Sequence, residues 1–137
     1  MSMATIRPNV EQFKALLAAP DEGPVVMLNL LKFKDRTSDG NGTGNEAYRK
    51  YGDAAIRMIE QRGGKVLWVG KAEQVLIGDP EQDWDAVLLV QYPSRATFVE
   101  MTSSKEYDAA HEHREAGLER TIVVACSPRV DTLSGGY

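Results

Sequence analysis

The chain has 137 residues, enough for one domain with a single hydrophobic core. Its 16 basic and 20 acidic residues give a formal charge of -4, without a dense basic run interleaved with aromatics, so nucleic acid is not an expected partner. The single cysteine, Cys126, excludes an internal disulfide and a Cys-rich zinc site. No stretch approaches about 18 consecutive apolar residues and the start lacks a signal-peptide pattern, so we expect a cytoplasmic protein without a membrane partner.

The first predicted element is a short helix over 8–19. Asn9 can cap its start, and Gln12 can complete a capping box three residues later. Pro20 ends this helix, because proline removes a backbone donor and its ring clashes with the preceding turn.

A core over 24–126 follows the first helix and contains both strands and helices. The patterns predict, in order, a strand over 24–33, a helix over 46–62, strands over 65–77 and 84–92, a helical region from Pro93-Ser94 to about Gly117, and a strand over 121–126. The helical region is predicted to break at 103–104, where Ser103 and Glu106 resemble a second capping box. The tail over 127–137 is short and polar, so we expect it to be mobile or to contact a neighbouring subunit.

This β-α-β-β-α-β order predicts an α+β protein with the ferredoxin-like split unit, a four-stranded antiparallel sheet and an extra N-terminal helix. Two helices cover only one face of such a sheet, so the other face should carry polar residues if it met water. The first strand instead has apolar residues on both faces: Val25, Met27 and Leu31 on one, and Val26, Leu28 and Leu30 on the other. We therefore predict a homodimer through the open sheet face; the alternative is that the N-terminal helix covers that face.

Several short segments between positions 24 and 127 resemble one known family. They are the run 25–33, Tyr48 to Tyr51, Gly63-Gly64 leading into 66–70, Tyr92-Pro93-Ser94, and Ser104 to Tyr107 followed by Arg114. Together they are similar to the family catalogued as domain of unknown function 1330. The resemblance implies a dimeric α/β-barrel of ferredoxin-like subunits, related in fold to small cofactor-free monooxygenases and lactone isomerases. It implies no established reaction, and no catalytic residue is carried over from those enzymes.

The loop between the first strand and the second helix imitates two ligand-binding motifs. Its residues Asp35, Thr37, Asp39, Gly40, Thr43 and Glu46 match the spacing of a calcium-binding EF-hand loop. A strand rather than a helix precedes this loop, so Thr43 and Glu46 are better interpreted as a capping box. The glycines at 40, 42 and 44 do not fit a dinucleotide fingerprint or a phosphate loop. We expect neither a metal nor a cofactor.

Polar residues within apolar patterns are the best candidates for chemistry. Asn29 shares a strand face with apolar residues, so its amide either satisfies the backbone or faces a pocket. On the last helix, His111 and Arg114 follow Tyr107 at positions i+4 and i+7, which places them on the inward stripe, whereas His113 points elsewhere. Arg114 then needs an anion, either a ligand carboxylate or an acidic residue across a dimer. His111 is either a proton carrier or a hydrogen-bonded structural histidine.

Four aromatic residues are candidate walls of a small-molecule site: Tyr48, Tyr51, Trp68 and Tyr107. Core packing is the competing interpretation for each of them. Trp68 is expected to share a face of the second strand with Val66 and Gly70.

The sequence therefore supports a ranked set of functions. The first is an enzyme without metal or cofactor that acts by proton transfer on a small apolar or carboxylated molecule. In it Arg114 orients the substrate, His111 carries the proton, and Asn29 or a tyrosine polarises a carbonyl oxygen. The alternatives are a ligand-binding dimer without catalysis and a purely structural dimer.

Overall fold

A computed structural model describes residues 7–19 and 23–133. Its elements, in chain order, are α1 (Val10–Ala18), β1 (Val25–Phe33), α2 (Gly44–Gln61), β2 (Lys65–Lys71), β3 (Ala86–Tyr92), α3 (Arg95–Thr102), α4 (Lys105–Gly117) and β4 (Leu118–Cys126). The four strands form one sheet in the order β2-β3-β1-β4, with every neighbouring pair antiparallel. This is the ferredoxin-like arrangement, and the predicted α+β fold class is confirmed.

The register of the sheet sorts the side chains onto two faces. Met27 pairs with Val90 and Ala125, and Leu28 pairs with Leu89 and Val124. Because alternate residues of a strand point to opposite faces, the Met27 set lies on the helix-covered face and the Leu28 set on the open face. The core lies on the covered face, where strand residues pack against helix residues: Val25, Met27, Val90, Tyr92, Ala55, Met58, Ile59, Met101, Tyr107 and Ala110.

A β-bulge interrupts the alternation in β2. Val66 pairs with Val90, but Trp68 pairs with Leu89, so Leu67 is an extra residue in the ladder. Val66 consequently lies on the covered face and Trp68 on the open face. The prediction that Trp68 shares a face with Val66 is therefore wrong, because a simple period of two does not anticipate the bulge.

A close backbone contact joins the start of α2 to the end of α4. The Lys34 amide donates to the Gly117 carbonyl at 2.8 Å, and the Gly44 amide donates to the Lys34 carbonyl at 3.0 Å. A Cβ atom at position 117 would lie 2.4 Å from the Gly44 carbonyl oxygen, which no real side chain tolerates. These two glycines therefore let the helices approach closely enough to set Tyr48 beside the inward face of α4.

The predicted helix starts are mostly confirmed. Both capping boxes, Asn9 with Gln12 and Thr43 with Glu46, are formed. The third is wrong by one position, because Ser104 rather than Ser103 caps α4, accepting a hydrogen bond from the Tyr107 amide. The helical region does divide at the predicted point, between α3 and α4.

Two strand boundaries differ from the predictions by three residues or more, whereas β1 and β3 begin one and two residues later than predicted. β2 ends at Lys71 rather than at position 77, and Leu76 and Ile77 are 83% and 92% exposed in the connection that follows. β4 begins at Leu118 rather than at position 121. The apolar residues at 75–77 made the predicted β2 too long. The charged residues at 119–120 made the predicted β4 too short. Pro20 and the end of the tail, 134–137, lie outside the described residues.

The N-terminal helix α1 does not cover the open sheet face. Leu16 packs against the core cluster on the helix-covered face, and α1 makes further contacts with α3. No residue of α1 is fully buried, and Val10 and Leu17 are exposed. The alternative that the N-terminal helix covers the open face is therefore wrong, and the homodimer through this face stays a prediction.

Candidate functional site

A cavity of about 610 Å³ lies between the covered sheet face and the helices α1, α2 and α4. Six of the seven predicted site residues line it: Asn29, Tyr48, Tyr51, Tyr107, His111 and Arg114. Apolar residues from every surrounding element complete the walls, among them Phe13, Leu16, Ile56, Val69, Leu88 and Phe98. A mostly apolar cavity with a few convergent polar groups is the usual form of a small-molecule site.

Helix α4 supplies the charged side of the cavity. Tyr107, His111 and Arg114 are 9%, 5% and 6% exposed, so the predicted inward stripe is confirmed. His113 is exposed on the opposite side of the helix, as expected. Burial of a histidine and an arginine together is rare in a chain of this size, because both groups lose water that hydrates them.

Three tyrosines form a continuous row along the cavity wall. The ring of Tyr48 lies 5.3 Å from that of Tyr51, which lies 5.9 Å from that of Tyr107 in an edge-to-face arrangement. The hydroxyls of Tyr51 and Tyr107 are hydrogen-bonded at 2.9 Å. Burial raises the pKa of Tyr48 to about 12 and that of Tyr51 well above its ordinary range. These phenols are therefore neutral hydrogen-bonding groups at physiological pH.

Arg114 brings a positive charge to this row. Its guanidinium carbon lies 5.9 Å from the centre of the Tyr51 ring, within the range of a cation-π contact. The charge acts on the pKa values of Tyr48 and Tyr51 in the direction opposite to burial, but burial is the larger influence. Arg114 thus adds a positive charge to a mostly apolar cavity whose lining also includes Arg7 and Asp108.

His111 occupies the next turn of α4, with its ring centre 5.6 Å from that of Tyr107. Burial, followed by the charges of Arg7 and Arg114, lowers the pKa of His111 against a smaller opposing influence of Glu115. Among the described residues neither ring nitrogen has an aligned hydrogen-bond partner, although Nε2 lies 2.9 Å from Oε1 of Glu115. The imidazole is therefore held neutral, the form that can accept a proton.

Two residues at this site were missed by the sequence reasoning. Glu115 contacts His111 and also accepts a hydrogen bond from Nε of Arg7 at 2.7 Å. The spacing of four residues between His111 and Glu115 on one helix was a readable signal. Arg7 gave none, because it is far from α4 in sequence and reaches it only through the fold.

Asn29 combines the two roles between which the sequence could not decide. Its amide nitrogen donates to the Met27 carbonyl at 3.0 Å, so the side chain does satisfy the backbone. It is only half-buried and also lines the cavity. The amide is thereby fixed in orientation at the cavity floor, which is the condition for a preorganised polar contact.

Trp68 is the predicted site residue that the structure separates from the others. The bulge in β2 turns it to the open sheet face, where it is 48% exposed and covers Gly70. It does not line the cavity, whereas its neighbour Val69 does. The prediction that Trp68 forms a wall of the ligand site together with the three tyrosines is therefore wrong.

The described residues contain no group of three or more histidine, cysteine or acidic side chains arranged to hold a metal ion. None of the described helices is long and apolar enough to cross a membrane.

Comparison with known proteins identifies the family. The model of the family described as Domain of unknown function (DUF1330) matches residues 41–126, which confirms the predicted resemblance. A solved protein of unknown function from Rhodopseudomonas palustris is 38% identical, with a TM-score of 0.87 over 94% of this chain and 100% of that one. No curated protein matches the chain.

More distant structures share the fold alone. An Arabidopsis thaliana protein is 18% identical, with a TM-score of 0.55 over 79% of this chain and 98% of that one. A Caulobacter crescentus protein, described as a candidate antibiotic biosynthesis monooxygenase, is 11% identical, with a TM-score of 0.52 over 79% and 92% of the two chains. At such low identity the likeness carries no information on activity.

Proposed function

We propose that this chain, which belongs to the DUF1330 family, is a dimeric cytoplasmic enzyme that needs neither metal nor cofactor. It acts by proton transfer on a small apolar molecule that carries a carboxylate or a similar anionic group. The observation that carries this proposal is the burial of His111 and Arg114 side by side on α4, lining one mostly apolar cavity of about 610 Å³.

The proposed roles follow from the charge state of each group. Arg114 is positive, and its planar guanidinium matches a carboxylate in a bidentate pair, so it orients the substrate. His111 is held neutral by burial and by two nearby arginines, so it accepts the proton from a carbon next to a carbonyl group. The same imidazole returns that proton to the product, and the transfer is balanced without an oxidant.

A carbonyl oxygen that gains negative charge during this transfer needs a donor beside it. The phenol hydroxyls of Tyr48 and Tyr51 remain protonated because burial raises their pKa. Either phenol, or the amide of Asn29 that the Met27 carbonyl holds in place, serves as that donor.

Ligand binding is tested by thermal stability of the purified protein with a panel of small apolar carboxylates and their matched uncharged amides and lactones. We expect a rise in Tm with carboxylates alone, because a ligand that binds the folded state stabilises it by mass action. Arg114→Ala should lose this rise, whereas Arg57→Ala on the exposed side of α2 should keep it. A carboxylate-dependent rise that persists in Arg114→Ala would contradict the assigned role.

The stability of the variant itself separates the alternatives. If Arg114→Ala lowers Tm strongly and no compound shifts the wild type, the structural dimer is the better description. Arg114→Lys keeps the charge without the planar fork, so a folded Lys variant with weakened carboxylate binding keeps the test valid if the alanine variant unfolds.

Catalysis is tested by proton exchange in deuterated water. A bound ligand with an acidic C-H bond should gain deuterium at that carbon, followed by NMR. His111→Ala should slow the exchange by about 100-fold or more, whereas His113→Ala, on the exposed side of α4, should leave it unchanged. Ligand binding without exchange in the wild type would favour a binding protein over an enzyme.

The open sheet face supports the proposed homodimer. Trp68, Ile122 and Val124 on this face are 48%, 45% and 47% exposed. Monomers rarely leave a contiguous apolar patch larger than several hundred Å² uncovered, and two-fold pairing of identical faces removes it. We expect a dimer in analytical ultracentrifugation and a monomer for Leu28→Asp. Val10→Asp introduces the same charge at an exposed valine of α1 and should remain dimeric; a monomeric wild type would refute the proposal.

A further inference from the structure

Glu115 lies between Arg7 and His111, two residues that line the cavity. Its Oε1 atom lies 2.9 Å from Nε2 of His111 and accepts hydrogen bonds from Nε and a terminal nitrogen of Arg7. Hydrogen bonding to Arg7 is the largest of the influences that lower the pKa of Glu115, so this carboxylate is ionised at neutral pH. A carboxylate accepts hydrogen bonds and donates none.

The contact between Glu115 and His111 constrains where the imidazole proton can be. A neutral imidazole carries one proton, and its second nitrogen presents a lone pair. If Nε2 were the unprotonated nitrogen, its lone pair would face a negatively charged oxygen at 2.9 Å, and the two acceptors would repel each other. If Nε2 carries the proton, the same distance becomes a charge-assisted hydrogen bond once the ring turns slightly into alignment.

We propose that Glu115 is a positioning residue that keeps a proton on Nε2 of His111 and so leaves the lone pair of Nδ1 for proton transfer in the cavity. The catalytic part of this inference rests on the proposed function. Both ring nitrogens of His111, a side chain that lines the cavity, are buried and lack an aligned hydrogen-bond partner among the described residues, but the Glu115 carboxylate lies beside Nε2. With the proton on Nε2, Nδ1 is the nitrogen left to accept a substrate proton once the ring turns towards the cavity.

Arg7 completes the arrangement from the segment that precedes α1. Without Arg7, the carboxylate of Glu115 would favour the protonated imidazole more strongly, and the pKa of His111 would rise. With Arg7 bound, the negative charge is shared, and the arginine charge adds to the influences that lower the pKa of His111. Because α1 forms one wall of the cavity, the contact between Arg7 and Glu115 beside this wall also favours the neutral form of His111.

The expected effects depend on all the groups around the ring. Within residues 7–19 and 23–133, the titratable and charged side chains around His111 are Arg7 before α1, Tyr107, Arg114 and Glu115 on α4, and Tyr51 on α2 through its hydrogen bond to Tyr107. Of these, only Glu115 favours the protonated ring.

The tautomer is measured by nitrogen NMR of the full-length protein with labelled histidine, with His113→Gln used to assign the two signals. We expect wild-type His111 to be the neutral Nε2-H form at pH 7. Glu115→Ala should shift His111 towards a mixture of tautomers, whereas Glu112→Ala, at an exposed position of the same helix, should change nothing. An Nδ1-H wild type, or a tautomer unchanged in Glu115→Ala, would overturn the inference.

Arg7 is tested by titration of the same signal. Arg7→Gln removes a positive charge near the ring and releases Glu115, and both changes favour the imidazolium. We therefore expect the pKa of His111 to rise, and the proton-exchange rate at pH 6 to fall by severalfold. Lys14→Gln removes a charge from the exposed side of α1 and should leave both unchanged. A pKa that stays the same or falls in Arg7→Gln would remove Arg7 from the arrangement.

These readouts separate two kinds of failure. The tautomer and the titration need no substrate, so they support or overturn the role of Glu115 even if every ligand fails to exchange protons. Proton exchange that is abolished in His111→Ala would support the proposed enzyme. If Glu115→Ala then leaves the exchange rate and its pH profile unchanged, the positioning role of Glu115 is wrong.

Discussion

The two faces of the sheet have similar apolar composition but different surroundings. On the covered face, Val25, Met27 and Leu31 are at most 3% exposed, because three helices pack against the middle of the sheet. On the open face, Ile122 and Val124 remain nearly half exposed, and on the covered face comparable exposure is found beside the cavity, at Val69 and Val123. The covered face is interrupted by a polar residue, Asn29, and the cavity lies over it. On the covered face, the apolar residues thus mark where the helices pack against the sheet. The polar residue Asn29 marks where the helices are separated from the sheet by the cavity.

Among the variants considered, Gly117→Ala should destabilise the packing of helices on the covered face most strongly. The new Cβ would lie 2.4 Å from the Gly44 carbonyl oxygen, and neither backbone segment can move without shifting a helix. We expect a loss of about 3 kcal/mol in the free energy of unfolding, at the upper end of overpacking costs. Urea denaturation measures it. The matched control is Gly52→Ala on α2, where the Cβ would meet nothing within 4 Å and helix propensity should add up to about 1 kcal/mol.

Alkaline pH should act on the covered face through its buried tyrosines. Burial raises the pKa of Tyr48 from its ordinary value of 10.0 to about 12. Above pH 10 the unfolded chain releases a proton that the folded chain retains, so stability falls as pH rises towards 12, by up to about 3 kcal/mol for this one group. Urea denaturation from pH 8 to 11.5 should give a shallower fall for Tyr48→Phe; an equal slope would show that the phenol ionises freely in the folded protein.

A smaller effect is expected from Tyr51→Phe, which removes one hydroxyl from the covered face. The hydrogen bond to Tyr107 is lost while the ring contacts remain, so stability should fall by about 1 kcal/mol. Thermal unfolding measures the change. Tyr107→Phe removes the other partner of the same bond, and the double variant should cost less than the sum of the two, since the pair is coupled. Strict additivity would mean that the hydroxyls act independently.

The smallest effect on ligand binding is expected for Trp68→Ala. This variant tests whether the ligand site lies on the covered face alone. Trp68→Ala should leave a carboxylate-dependent rise in Tm unchanged, because the indole lies on the open face outside the cavity. It should weaken the proposed dimer instead. Val66→Trp, two positions earlier, fills the cavity side and should abolish the ligand effect. Loss of ligand binding in Trp68→Ala would place the site on the wrong face.

The sequence was sufficient for the parts of this structure that depend on local periodicity. The element order follows from the pattern of apolar and turn residues, and the end of α2 follows from the glycines at 63–64. The inward stripe of α4 with His111 and Arg114 follows from helical spacing within one segment. The Asn9 and Thr43 caps were readable for the same reason, since their partners are three residues away.

The parts that the sequence did not predict depend on contacts between distant segments or on irregular pairing. Arg7 meets Glu115 only because α1 returns to the covered face, and Gly44 meets Gly117 only because α2 and α4 cross there. The bulge at Leu67 has no residue signature, so Trp68 was assigned to the wrong face. Spacing within a segment thus identified the buried polar side chains of the candidate site, but not the residues from distant segments that contact them.

The bulge in β2 has a consequence for how proteins of this family can diverge. One inserted residue sends the indole of Trp68 away from the cavity and brings Val69 to its wall. Deleting a single residue near Leu67 would exchange these two side chains between the faces without any substitution. A relative one residue shorter at this point would then present a bulky aromatic to the cavity and a smaller side chain on the open face. A change of length would alter the cavity and the proposed dimer interface in the same step.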